Sequence, residues 1–222
     1  MSRPVVWADS ETTSLAPTRR IWEFAAIKGA EEQVWVVADV DLELADPKSL
    51  EFGDFYQRHP VWGEPPPGSR VVDEATAARE INGFVAGATM VTAIPEFDLV
   101  PLAAMMRRHG LEPSWHYRTR CVESFVAGCL AEDAGGLQDC VRALGLDPAD
   151  YAGHTALGDA RMVRDCWLMV RAGMNPEDSR SAKGVLRLAT QRLWQERDED
   201  PVEVRAAFGR GPHGVTARPT HT

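Results

Sequence analysis

The chain has 222 residues, with 24 Lys or Arg against 33 Asp or Glu and a formal net charge of −9. Hydrophobic residues make up 44% and charged residues 26%, a globular composition that excludes a disordered, collagen-like or coiled-coil chain. The charge is uneven: residues 180–222 hold 8 basic and 5 acidic side chains, and residues 1–179 hold 16 and 28. A non-specific nucleic-acid binder coated evenly in Lys and Arg is therefore excluded. A polyanionic ligand is still admissible if carboxylates hold metal ions, which reverse the local sign. The cysteines Cys121, Cys129, Cys140 and Cys166 form no CxxC pair, so buried thiols are expected ahead of disulfides or a zinc site. No apolar stretch approaches the ~20 residues of a membrane span. The first residues, Met-Ser-Arg-Pro-Val-Val-Trp-Ala-Asp, lack the apolar region of a signal peptide. The expectation is a soluble protein of a reducing compartment, the cytoplasm.

Taken in chain order, residues 4–8 read as a short buried strand. Residues 21–27 and 33–40 are further strands, separated by the turn signal Lys28-Gly29-Ala30. Three strands in quick succession predict an antiparallel meander. Residues 41–72, with Pro60 and the run Pro65-Pro66-Pro67-Gly68, show few periodic apolar positions and read as a surface excursion. Asp73 caps a helix carrying Ala77, Ile81 and Phe84. Residues 89–94 read as a strand, 97–109 as a helix closed by Gly110, and 115–120 as a short strand. Helices follow around Val122–Leu130 and from Leu137 to Gly145. The clearest helix covers 156–170, stopped by Gly173 and Pro176. Residues 181–197 predict a basic helix, and 205–222 a mobile tail. Strands first, then alternating helix and strand, indicate an α/β fold: a mixed central sheet flanked by helices. One domain over 1–175 with a basic C-terminal extension over 176–222 accounts for this order.

Carboxylates on core-facing stripes are the informative feature. Strand alternation puts Val5, Trp7, Asp9 and Glu11 on one face if the first strand continues that far. Two acids two residues apart on one face repel unless a cation lies between them. Asp98 heads the stripe Asp98, Leu102, Met105, and Asp159 heads Asp159, Val163, Cys166, Val170. Each acid has a plainer reading, as a turn residue or as a first-turn partner of a helix dipole. Together they suggest a cluster, because burying one unpaired carboxylate costs several kcal/mol by rough estimate. His154 lies five residues before Asp159, on the loop entering that helix. With an ordinary pKa of about 6.5, a histidine beside carboxylates is a candidate general base.

These residues match a pattern. Asp9-Ser10-Glu11-Thr12-Thr13-Ser14-Leu15, Phe97-Asp98 and His154-Thr155-Ala156-Leu157-Gly158-Asp159-Ala160 resemble, in order and spacing, the three motifs of the DEDDh-type 3′–5′ exonucleases. That family, within the ribonuclease H-like superfamily, includes proofreading exonucleases, ribonuclease T and oligoribonuclease. Ile21-Trp22-Glu23-Phe24-Ala25-Ala26-Ile27 is similar to its second strand. The resemblance covers about residues 5–171. Thr155 stands where the tyrosine subfamily has its Tyr, so the histidine subfamily fits. Ser14 departs from the usual Gly, and Pro95-Glu96 from the usual His-Asn. The runs Ala93-Ile94-Pro95-Glu96-Phe97-Asp98 and Trp115-His116-Tyr117-Arg118 look like exonuclease-like proteins of actinobacterial phages.

The resemblance implies a ribonuclease H-like fold and two-metal phosphodiester hydrolysis that releases nucleoside 5′-monophosphates from a nucleic-acid 3′ end, single-stranded DNA being favoured. Asp9, Glu11, Asp98 and Asp159 are then the ligands of two Mg²⁺ (or Mn²⁺), and His154 the general base. Thr12 (through its backbone) and the Thr13 side chain contact the terminal nucleotide. Leu15 either wedges between the last two bases or packs in the core. The basic segment between Arg180 and Arg218 either grips the backbone or is a solvated tail. A homodimer or a polymerase or replication partner is possible by the same resemblance. The alternatives are an RNA-trimming exoribonuclease, a catalytically silent nucleic-acid-binding module of the same fold, and an unrelated phosphohydrolase acting on free nucleotides.

Overall fold

A computed structural model of the chain describes residues 3–131 and 133–173. The helix expected over 181–197, the tail over 205–222 and the proposed domain boundary at 175 lie outside the described residues. The elements are β1 (Val5–Thr12), β2 (Ile21–Lys28), β3 (Glu31–Val37), α1 (Pro47–Phe52), α2 (Phe55–Arg58), β4 (Arg70–Val72), α3 (Glu74–Phe84) and β5 (Thr89–Thr92). Then come α4 (Pro95–Arg108), β6 (Arg120–Cys121), α5 (Val122–Leu130), α6 (Leu137–Ala143), a 3-10 turn (Pro148–Asp150) and α7 (Ala156–Gly173).

The six strands form one mixed sheet in the order β4-β3-β2-β1-β5-β6. The expected meander is present: β1 pairs antiparallel with β2, and β2 antiparallel with β3. The other pairings, β3 with β4, β1 with β5 and β5 with β6, are parallel. β2 is buried along almost its whole length, as a strand covered on both faces must be.

Side-chain alternation divides the core in two. Val6, Ala8, Phe24 and Ala26 face Ala77, Ile81, Leu102 and Met105 of α3 and α4. Trp7, Ala25 and Ile27 face Val122 and Val126 of α5, Val141 of α6, and Ala160, Val163 and Cys166 of α7. α3 begins where its capping residue requires: Asp73 accepts a hydrogen bond from the Thr76 N–H at 2.6 Å.

Three expectations need correction. Residues 41–72 are not a featureless excursion; they hold α1, α2 and β4, anchored by a small core of Trp22, Leu50 and Phe55. Both helices are too short for a periodic apolar stripe to show in the sequence. Of residues 115–120 only Arg120 is in a strand: His116 N–H makes an isolated bond to Ala88 O, and ladder pairing begins at Arg120, the first residue of β6. α4 starts at Pro95 rather than Phe97, because proline at a first helical position loses no intrahelical bond.

Ile81 is fully buried between α3 and the sheet. Ile81→Ala is expected to lower unfolding stability by about 2–5 kcal/mol, read as a lower urea midpoint with an unchanged slope.

Candidate active site

β1 does not leave the sheet at Asp9; it runs through Thr12 and carries Asp9 and Glu11 on the face that holds Trp7. That face is covered by α7, whose first turn contributes Asp159. One carboxylate oxygen from each of Asp9, Glu11 and Asp159 lies within 4.8 Å of the other two. They line a cleft of about 490 Å³ with Ser10, Thr12, Leu15, Phe52, Phe97 and His154.

Two glycines permit this convergence. A β-carbon at Gly158 would lie 1.9 Å from the Ala152 carbonyl oxygen, so only glycine lets the first turn of α7 close on its entry loop. A β-carbon at Gly53 would lie 3.0 Å from Glu11 Oε2, so glycine there lets the α1–α2 segment approach the site.

His154 stands on the loop before α7 with φ 59°, a left-handed conformation uncommon for a side chain with a β-carbon. Its ring packs on Phe52 of α1, with centroids 4.3 Å apart. Thr155 closes the helix start: its hydroxyl donates to Ala152 O at 2.6 Å and accepts from Gly158 N–H at 3.0 Å.

Asp98 takes a different position. It rises from α4 on the opposite face of the sheet, is 2% exposed, and its Oδ1 accepts from the Ser10 hydroxyl at 2.7 Å. It is close enough to raise the Asp9 pKa but stands outside the three-carboxylate group. Arg19 fastens the loop after β1 to this region: its guanidinium donates to the Phe97 and Glu96 carbonyls and lies 4.4 Å over the Phe97 ring.

The three residues expected at the nucleotide separate. Leu15 is 76% exposed at the cleft, which removes the core-packing reading. Thr12 lines the cleft, with its hydroxyl donating to Ser14 O at 3.0 Å. Thr13 is buried instead: its Oγ1 accepts from Arg20 N–H at 3.0 Å, and it borders a neighbouring recess with Arg19, Arg20 and Arg108. The Thr13 hydroxyl therefore holds the loop together and borders that recess, while Thr12 lines the cleft.

Sequence patterns did not reveal a buried ion pair beneath the site. Glu23 lies directly across from Glu11 in the β1–β2 pairing and is completely buried. Its Oε2 accepts from Arg58 Nη1 at 2.5 Å, and its Oε1 from the Ala156 N–H at the start of α7 at 3.0 Å. An acid inside the apolar run 21–27 was the available signal for Glu23. Arg58 lies in the stretch where no pattern was visible.

The electrostatics follow from burial and crowding. Burial pushes the Asp9 pKa well above its usual value, and the charges of Asp98, Asp159 and Glu11 push it further. Glu11 rises to about 8, mainly through burial and against the pull of Arg58. Asp98 rises to about 7 through burial, opposed by its hydrogen bond from Ser10. Asp159 rises to about 6 by burial, opposed by His154 and Arg58. Asp159 Oδ1 is also buried with no hydrogen-bond partner among the described residues. An acceptor left bare between two other carboxylates fits a hard divalent cation, and an all-oxygen donor set fits Mg²⁺ or Mn²⁺ better than zinc.

No family model matches the sequence, and no curated protein matches it significantly. Solved structures do match. One is a 3′-exonuclease, described as "3'-end specific recognition of histone mRNA stem-loop by 3'-exonuclease", at 11% identity and a TM-score of 0.56. The alignment covers 77% of this chain and 64% of that one, so the present chain spans less than two thirds of it. The other is the nuclease domain of 3′hExo, a DEDDh family member bound to rAMP, at 11% identity and a TM-score of 0.55, covering 76% of this chain and 90% of that one. The chain thus has the fold of the DEDDh exonucleases, an α/β fold of ribonuclease H-like type. Among the described residues no helix is long and apolar enough to cross a membrane.

Raised carboxylate pKa values mean that the metal-free folded state binds more protons than the unfolded chain between the ordinary carboxylate range and about pH 8. Stability of the metal-free protein therefore falls as pH rises through that window. The melting temperature in EDTA is expected to drop from pH 6 to pH 8.5, and the drop to shrink in saturating Mg²⁺. Calorimetric scans at both pH values check this.

Proposed function

We propose that the protein is a divalent-metal-dependent 3′–5′ exonuclease that releases nucleoside 5′-monophosphates from single-stranded 3′ ends, DNA foremost. The observation that carries this reading is the convergence of Asp9, Glu11 and Asp159 in a cleft that His154 also lines. The DEDDh fold supports it.

In this reading Asp9, Glu11 and Asp159 hold two Mg²⁺ or Mn²⁺, with Asp98 completing the set directly or through water. When bound, such ions supply Lewis-acid polarisation of phosphoryl oxygens and neutralise developing charge. His154 accepts the proton of the attacking water. Water oxygen would then bond to the terminal phosphorus as the bond to the 3′-oxygen breaks, and the leaving 3′-oxygen would take a proton from solvent, so that the shortened strand ends in a 3′-hydroxyl. Leu15 and Phe52, 76% and 67% exposed at the cleft, offer apolar surface to an unpaired base. The negative charge of the chain is no obstacle, since ions at the site reverse the local field.

RNA is the second reading. It is favoured by what the two similar structures hold, a histone mRNA stem-loop and rAMP.

The test uses 5′-labelled single-stranded DNA and RNA of one sequence with Mg²⁺, Mn²⁺ or EDTA. A metal-dependent ladder shortening from the 3′ end, absent in Asp9→Ala, is expected. The faster substrate decides the sugar. Intact strands under all conditions from folded protein would leave a binding module. His154→Ala is expected to lower kcat by about 10²–10⁴-fold while single-strand affinity, measured by anisotropy, changes little.

A further inference from the structure

Arg58 closes α2, a four-residue helix in the segment between β3 and β4. Its side chain is largely buried and reaches five groups at once. Nη1 donates to Glu23 Oε2 at 2.5 Å. Nη2 donates to Gly53 O at 2.6 Å and to His154 O at 3.0 Å. The guanidinium lies 4.9 Å over the Trp22 ring, and Nη2 is 4.0 Å from Glu11 Oε1.

The same guanidinium therefore ties together β2, the α1–α2 turn and the loop entering α7. The His154 tie matters most. His154 is in the left-handed region, where a residue with a β-carbon stays only if its surroundings hold it. Its carbonyl is held by Arg58 and its ring by Phe52, and both side chains come from the α1–α2 segment. The fork of a guanidinium suits this role, because it spans two acceptors in fixed geometry, which a lysine ammonium does not. Glu23 orders the other side of the junction, since its Oε1 receives the first N–H of α7 while its Oε2 holds Arg58.

We propose that Arg58 is a positioning residue of the site: seated on Glu23, it fixes the His154 backbone so that the imidazole stands over the carboxylate cluster. This rests on the exonuclease reading, in which His154 moves the proton. Arg58 reaches the His154 backbone and also lies 4.0 Å from Glu11, so a variant that keeps the charge but not the fork separates positioning from charge.

Arg58→Met alone would strand Glu23 as an unpaired buried acid and could unfold the protein. The first variant is therefore the pair Arg58→Met with Glu23→Gln, which removes both charges and keeps an acceptor for the Ala156 N–H. The second is Arg58→Lys, which keeps the charge near Glu11 and loses the fork. For both, kcat is expected to fall about ten- to a hundredfold with KM changed less than about twofold, the pattern of a displaced catalytic group. NMR on histidine-labelled, metal-free protein supplies the readout independent of activity. The His154–Phe52 ring contact, present in the parent, is expected to be lost in both variants while the melting transition stays cooperative. A folded variant that keeps the ring contact and full kcat overturns the proposal, as does a loss carried entirely by KM. If the parent hydrolyses no strand, the exonuclease reading fails, and the ring contact alone then decides whether Arg58 positions His154.

Discussion

Mutual repulsion among buried carboxylates is the constraint on which the rest of this structure depends. Glu11 and Glu23 face each other across two paired strands, Asp9 is two residues along the same face, and Asp159 is set down on them by α7. Left alone, four such acids would push the strands and the helix apart. The fold treats them unequally. Glu23 is fully compensated by Arg58 and by the first N–H of α7. Asp9, Glu11 and Asp159 are left under-compensated, with an Asp159 oxygen that no donor among the described residues reaches. One pair serves as foundation, and the other three stay raised in pKa and open to a cation.

The sheet explains why Asp98 is set apart. Alternation along β1 sends Asp9 and Glu11 to the α7 face and Ser10 to the α4 face. An acid on α4 can approach the site only from behind, and it meets the Ser10 hydroxyl first. It stays outside the three-carboxylate group, yet its charge is the leading one acting on Asp9. Arg19 then binds the start of α4 to the loop after β1, so both faces of the sheet are locked to the strand that carries the first two acids.

Much of this was legible in the sequence, and the boundary of legibility is physical. The strands around Asp9 and Phe24 and the helix carrying Asp159 are long enough for their apolar periods to be unambiguous, so the order of elements and the mixed sheet could be read. Asp9, Glu11 and Asp159 stood out because each interrupts an apolar stripe. Thr13 could not be placed, because a hydroxyl in a loop looks the same whether it meets a ligand or a neighbouring backbone N–H. Arg58 and Phe52 were invisible for another reason. They belong to helices of four and six residues, shorter than two turns, held by contacts with Trp22 rather than by any pattern of their own. Glu23 had a signal, a charge inside a buried strand, but its partner lies 35 residues away.

The ligands also lie far apart along the chain. Asp9 and Glu11 belong to the first strand and Asp159 to the last described helix, so nearly the whole described length intervenes. Long loops close late, after local strands and helices have formed. The pairing of β1 with β2 already sets Glu11 against Glu23, and the docking of α7 adds Asp159 to them. A cation held by all three acids would therefore favour the docking of α7 on the sheet, and not the pairing of β1 with β2, which brings only Asp9 and Glu11 to the site.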